Sequence, residues 1–224
     1  MPNRAYYEEL WSSLPEGLQP AGFQMRRRFL LGHVSSGQRV LDLGCGEGAF
    51  TAALREAGAE VLGVDVAEEP LRRARARHPE LDLRLIEPAG PWELPDAFFD
   101  VVWAGEVIEH VADTAAWMSE LRRTLRSGGK LLLSTPAHGR LERVRLALSE
   151  QAFAEHFDPL SDHLRFYSAE TLTALVDLYG FEGVSVSAAR ADAVRPSAAG
   201  RFQTMRPPPP GRRLLLLAAT RARF

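Results

Sequence analysis

Short continuous apolar runs alternate along the chain with longer stretches in which apolar residues recur three or four positions apart. The runs "RVLDLG" (from Arg39), "EVLGVD" (from Glu60), "LDLRLIE" (from Leu81), "FFDVVWAG" (from Phe98) and "KLLLSTP" (from Lys130) have strand length. Most are apolar on both alternations, the pattern of strands covered on both faces of a parallel sheet. The periodic stretches predict helices. "GAFTAALREAG" stops at Gly58, "EEPLRRARARHP" has Pro70 early and Pro79 at its end, and "DTAAWMSELRRTLRSGG" ends in Gly-Gly. Regular alternation of this kind predicts an α/β fold, a doubly wound sheet with helices on both faces.

The pattern changes at both ends. Residues 1–37 predict one or two helices broken between Pro15 and Gly22, a helical cap on a core of residues 38–136. Residues 137–167 predict a mostly helical interlude, a lid inserted after the fifth strand. "SAETLTALVDLYGF" then predicts a helix with Ser168 as N-cap and Gly180 as stop. "FEGVSVSAAR" and "RRLLLLAATRAR" can pair as two last strands, joined by a polar loop ending in "RPPPPG" and expected to be extended. The whole reads as a single domain, residues 168–224 supplying its C-terminal helix and final strands.

Composition narrows the class. A length of 224 residues, 46% of them hydrophobic, is enough for one proper core. The net charge is -2 and the pI about 6.3, which disfavours a protein that lives on phosphate backbones. The single cysteine, Cys45, excludes an internal disulfide framework and a cysteine-based zinc cluster. The N-terminus shows no apolar leader, and no run approaches the roughly 18 apolar residues of a spanning helix. The expectation is a cytoplasmic protein with a small-molecule partner, no membrane span, and homodimerisation left open.

The candidate chemistry begins at "RVLDLGCGEGAF". A strand that feeds Gly44, Gly46 and Gly48 into a helix lets a ligand approach bare backbone. The alternative is a tight turn with no ligand. The glycines run G-x-G-x-G, which departs from the dinucleotide fingerprint and weakens a dehydrogenase reading. Asp65 ends the next strand, where a carboxylate can accept two hydrogen bonds from a ribose diol; its plainer role is to cap the following helix.

Taken in order, "VLDLGCGEG", "GVD", "FDVVWAGEVIEHV" and "LRRTLRSGGKLLLSTP" resemble the class I S-adenosylmethionine-dependent methyltransferases, over about residues 38–136 and more weakly to 183. The resemblance implies a Rossmann-like seven-stranded sheet whose last strand is inserted antiparallel. It places Asp42, Gly44, Cys45, Gly46 and Gly48 at the methionine part of S-adenosyl-L-methionine, Asp65 on the ribose and Val66 against the adenine. Gly105 and Glu106 match the wall near the sulfonium. Gln24 and Arg26 to Arg28 are candidates to reach the methionine carboxylate, Arg26 the chosen one, against the plainer reading of a solvated basic helix face. Where many members have an adenine-binding Asp after strand three, this chain has Glu87, Pro88 and Ala89. Cys45 sits where a small buried residue suffices and is not read as a nucleophile.

A sulfonium methyl is already activated, so the protein mainly aligns the reactants. A hydroxyl acceptor also needs a general base, a metal, or both. "GEVIEHV" offers Glu106, Glu109 and His110, which share a face if the chain turns helical there. "SDHLRFYS" later adds His163. An oxygen-rich set with one or two imidazoles suits Mg²⁺ or Mn²⁺. The candidate metal set is therefore Glu106, Glu109, His110 and His163, with His110 and His163 as catalytic candidates. His138 is a further candidate for the pocket rim, and His156 falls in the lid. The plainer readings are helix-face charges and satisfied histidines.

This pairing resembles two subgroups. One is the ubiquinone-pathway O-methyltransferases and their small-molecule relatives, which share E-x-x-E-H. The other is the RNA 3′-terminal ribose 2′-O-methyltransferases, whose later motif is kept here only as Asp162-His163. The first implies methyl transfer to a hydroxyl of a sugar, phenol or quinone-like molecule. The alternatives are RNA-end methylation and a non-catalytic cofactor-binding protein.

Overall fold

The computed structural model describes residues 4–88, 90–158, 161–190 and 213–223. Ala89 and the "RPPPPG" segment lie outside the described residues. Seven strands form one sheet in the order β3-β2-β1-β4-β5-β7-β6. They are β1 Arg39–Leu43, β2 Glu60–Asp65, β3 Asp82–Leu85, β4 Phe99–Gly105, β5 Leu125–Ala137, β6 Phe181–Arg190 and β7 Arg213–Arg221. The first five are parallel, and β7 lies antiparallel between β5 and β6. Both the doubly wound architecture and the antiparallel last strand agree with the expectation.

The unbroken apolar runs have a simple cause: alternate residues face two different cores. Val40, Val101, Trp103 and Leu132 pack with Leu30 and Phe50, the side of helices α2 (Phe23–Leu31) and α3 (Ala49–Glu56). Leu41, Leu43, Val102, Leu131 and Leu133 point the other way, onto Trp117, Met118, Leu121, Leu172 and Val176 of α5 (Thr114–Thr124) and α8 (Ala169–Leu178). Leu71 and Ala74 of α4 (Glu68–Arg77) close a smaller cluster with Leu81 and Leu83.

The cap on α8 is as read from sequence. The Ser168 hydroxyl accepts the Thr171 N–H, and the Thr171 hydroxyl accepts the Ser168 N–H, a reciprocal capping box. Gly180, at φ 73°, ends the turn. The expected end of α5 is corrected. The helix stops at Thr124, not at Gly-Gly, because Leu125 is already extended and pairs with Phe99 of β4. Gly128, at φ 71°, instead serves the register shift in this long strand.

The interlude after β5 holds α6 (Arg140–Leu148) and α7 (Glu150–His156), with the Ser149 hydroxyl accepting the Ala152 N–H as the cap of α7. Beyond them an isolated bridge joins Ala137 to Tyr167. Among the described residues no helix is long and apolar enough to cross a membrane.

The first helix, α1 (Arg4–Ser13), buries no residue fully and is docked by polar contacts. The Arg4 guanidinium donates to the Val66 and Ile86 carbonyls and pairs with Glu87 at 2.8 Å. The Glu8 carboxylate accepts the Glu68 and Glu69 N–H groups at 2.6 and 3.0 Å, so α1 caps the N-terminus of α4 from a distance in sequence. Replacing Glu8 by Ala should cost about 1 kcal/mol, the usual worth of a helix cap. Hydrogen exchange should then show faster exchange along α1 and the start of α4, with β1 and β4 unchanged. Equal loss of protection in β1 would mean that α1 belongs to the cooperative core.

Candidate functional site

The strand order reverses between β1 and β4, and a cavity of about 580 Å³ opens there at the carboxyl ends of the parallel strands. The segments after β1, β2, β3 and β4 contribute to its wall. Gly44 comes from the loop after β1, Asp65 and Val66 from β2, Ile86 to Pro88 from β3, and Glu106, Val107 and His110 from the segment after β4. Tyr7, Leu10, Trp11 and Leu14 complete it from α1 and the residue after its end.

Asp65 organises the floor. It is buried, its Oδ2 accepting the Gly46 N–H at 2.9 Å and its Oδ1 the Ala67 N–H at 3.1 Å. Each carboxylate oxygen keeps a further lone pair, so these bonds leave Asp65 able to receive hydroxyl donors from the cavity. The first-turn amides of α4 are taken by Glu8, and the capping alternative for Asp65 is only a part of what it does.

The three glycines of the loop after β1 have different surroundings. Gly44, at φ 76°, faces the cavity, and a Cβ there would stand 2.5 Å from Val107. Gly46, at φ 54°, is covered by the chain itself: a Cβ would lie 3.1 Å from the Trp11 ring. Gly48 begins α3 beneath Leu81 and Ala74 and does not line the cavity.

Several other named residues stand behind the wall. Asp42 accepts the Thr51 hydroxyl at 2.6 Å, and Cys45 is buried with burial pushing its thiol pKa up. The Arg26 guanidinium lies 4.9 Å over the Phe50 ring and 3.5 Å from the Ser134 hydroxyl, packed against Gly105. Gln24 and Arg28 are exposed on α2. Ser134 in turn donates to Glu106, whose backbone sits at φ 61°, a left-handed conformation uncommon for Glu.

Glu109, His110 and His163 meet beside this wall, one ligand atom from each lying within 4.8 Å of the others. The segment "IEH" forms a single 3-10 turn, Ile108–His110, rather than the start of an α-helix. Glu106 therefore stays on Ser134 and outside the cluster. The loop carrying His163 is spliced onto the turn by main-chain bonds. The Glu109 carbonyl accepts the Leu164 and Arg165 N–H groups, and the Arg165 guanidinium donates to the Val111 and Ala112 carbonyls. His110 Nδ1 lies 3.0 Å from the Asp162 carbonyl, which can only accept. A neutral His110 therefore carries its proton on Nδ1 and keeps a lone pair on Nε2, which lies 4.0 Å from the buried Glu109 carboxylate. That carboxylate also accepts the Thr135 hydroxyl at 2.9 Å. His138 does not line the cavity; it packs edge-on against His156 of α7, ring centroids 4.7 Å apart.

Sequence reasoning missed the contribution of α1 and the character of the lining. Five carboxylates (Asp65, Glu87, Glu106, Asp113, Asp162) and the aromatic rings of Tyr7, Trp11, Trp92 and Trp117 line the cavity, with no Lys or Arg among its lining residues. Acidic groups and π-faces together favour a cationic or electron-poor ligand.

The chain is similar to proteins already known. The family model described as a methyltransferase domain matches residues 18–186. A probable S-adenosylmethionine-dependent methyltransferase of Mycolicibacterium smegmatis is 35% identical over 170 residues, 74% of this chain and 62% of that protein. A ubiquinone biosynthesis O-methyltransferase of Idiomarina loihiensis is 33% identical over 175 residues, 73% of this chain and 70% of that protein. The chain thus spans somewhat under two thirds of the first relative. Among solved structures, a Haemonchus contortus phosphoethanolamine N-methyltransferase in complex with phosphomonomethylethanolamine and S-adenosylhomocysteine superposes with a TM-score of 0.66 at 21% identity, covering 90% of this chain and 52% of that one. It shares the fold.

Asp42 gives the site a pH signature. Burial pushes its carboxyl up to about 7, partly offset by the Thr51 hydrogen bond. An unfolded Asp titrates near 3.9, so the folded chain holds an extra proton between about pH 4 and 7, and stability falls as pH rises through that window. Asp42→Asn keeps an acceptor for Thr51 and removes the ionisation. Its melting temperature should fall less from pH 5 to pH 8 than that of the wild type. Asp65 is raised in the same direction by burial and should leave a residual slope. Identical slopes in variant and wild type would assign the dependence to other groups.

Proposed function

Because this chain belongs to the S-adenosylmethionine-dependent methyltransferases, we propose that it moves the methyl group of that cofactor onto a hydroxyl of a small molecule, such as a sugar, phenol or quinone-like precursor. The observation that carries this reading is the acid- and aromatic-lined cavity at the switch point, with Asp65 in its floor. A sulfonium is a cation, and carboxylates with aromatic faces favour it. A polyanion would meet the same carboxylates unfavourably, which counts against an RNA end as acceptor. The ubiquinone-pathway relative supports oxygen over nitrogen as the methylated atom.

The bound cofactor supplies an activated methyl; this chain's residues do the rest. Asp65 would accept from the ribose hydroxyls and Val66 would hold the base, with Tyr7 and Trp11, which line the cavity, shielding the ligand from water. His110 or His163 takes the acceptor proton, and the buried Glu109 beside them stabilises the imidazolium that results.

A second reading assigns Glu109, His110 and His163 to a divalent ion that assists the hydroxyl. It is favoured by the three donors lying within 4.8 Å of one another, with His110 Nε2 4.0 Å from the buried Glu109 carboxylate. Two imidazoles and one carboxylate fit Mn²⁺ better than Mg²⁺, which prefers oxygen ligands.

Three measurements test these roles. Asp65→Ala should weaken S-adenosylhomocysteine binding at least about tenfold by calorimetry, the loss of a charge-assisted hydrogen bond. His110→Ala or His163→Ala should slow transfer of labelled methyl to a responsive phenol or sugar by about 10²- to 10⁴-fold while cofactor affinity holds. Unaltered cofactor binding in Asp65→Ala removes the ribose role. Mn²⁺ titrated into the cofactor-product complex separates base from metal. Saturable binding lost in both Glu109→Ala and His163→Ala supports the ion, and no binding in the wild type leaves a simple base.

A further inference from the structure

A second cluster of donors lies in the segment after β5, outside the cavity. His138 follows β5, Glu142 sits in the first turn of α6, and His156 ends α7. One ligand atom from each lies within 4.8 Å of the others. Neither ring nitrogen of His138 has a hydrogen-bond partner among the described residues, although both are shielded from solvent. Its Nδ1 stands 3.6 Å from Glu142 Oε2. That is too long for a hydrogen bond between a histidine and a carboxylate. It is close to the spacing of about 3.4 Å between two ligands on a tetrahedral ion with bonds of about 2.0–2.1 Å. Phe166 packs on both imidazoles, and Phe157 on His156, which fixes the rings and dries one side of the cluster.

We propose that His138, Glu142 and His156 bind a first-row divalent transition ion of the Zn²⁺ type and thereby pin the lid helices to the end of β5. Two imidazoles and a carboxylate are a proper set for such an ion, with a fourth position left to water. The ligands come from three separate elements, so binding joins α6 and α7 to the sheet, where the polar and aromatic contacts alone leave Glu142 and His138 apart.

The test uses the full chain carrying His163→Ala, which removes a donor from the first cluster. Zn²⁺ titrated into it by calorimetry should bind at one ion per chain. Adding His156→Ala should weaken that binding at least about 100-fold, more than the loss of an outer-shell partner. The Zn²⁺-loaded chain should also resist trypsin at Arg143 and Arg145 in α6, and the His156→Ala chain should lose that protection. Absence of saturable Zn²⁺ binding in the His163→Ala chain overturns the proposal, and so does binding that survives His156→Ala. Metal-free melting checks that each variant is folded. If His156→Ala is not, Glu142→Gln, whose side chain is 42% exposed, takes its place with the same two outcomes.

Discussion

A single buried carboxylate holds the ligand end of this sheet together. Asp65 ties the loop after β1 to the start of the chain after β2, through the amides of Gly46 and Ala67. Val64 adds to the tie, its carbonyl accepting the Gly44 and Cys45 N–H groups. These bonds fix the loop whose Gly46 carries Trp11, and Trp11 is part of the wall. Loss of Asp65 would leave two buried amides unsatisfied and release that loop, so its cost has a structural share besides any share in binding.

The second organising constraint is the main-chain splice at Glu109. Two amides from the loop after α7 converge on one carbonyl, and the carboxylate of the same residue is buried against Thr135. This brings His163 to His110, which is 53 positions earlier in the numbering of the chain. The cluster therefore owes its geometry to backbone pairing, and the histidines can act together because the turn and the loop are one hydrogen-bonded unit.

Much of the fold was legible because the physics that sets it is local. The apolar runs, the glycine stops and the Ser168 cap each act within a few residues, and each marks a real element. The α5 boundary was misread for the opposite reason. "RSGG" looks like a helix stop, yet Leu125 is taken by β4, a partner 26 residues away. At the site, Asp65 and Gly44 were readable from a strand feeding a turn. Tyr7 and Trp11 were not, since nothing in "RAYYEELW" signals that this helix faces a loop some 35 residues on. Glu106 was grouped with Glu109 by helical spacing, and the 3-10 turn separates them. The meeting of His138 and His156 is not legible in the sequence, because it depends on how α7 folds back onto the end of β5.

The first helix gives no fully buried side chain to the core, and its anchors are Arg4 and Glu8 at the surface. Its apolar residues, Leu10 and Trp11, are spent on the cavity instead. Substitution there leaves the two sheet cores untouched. Ligand contact at this wall and the stability of the sheet rest on different parts of one chain.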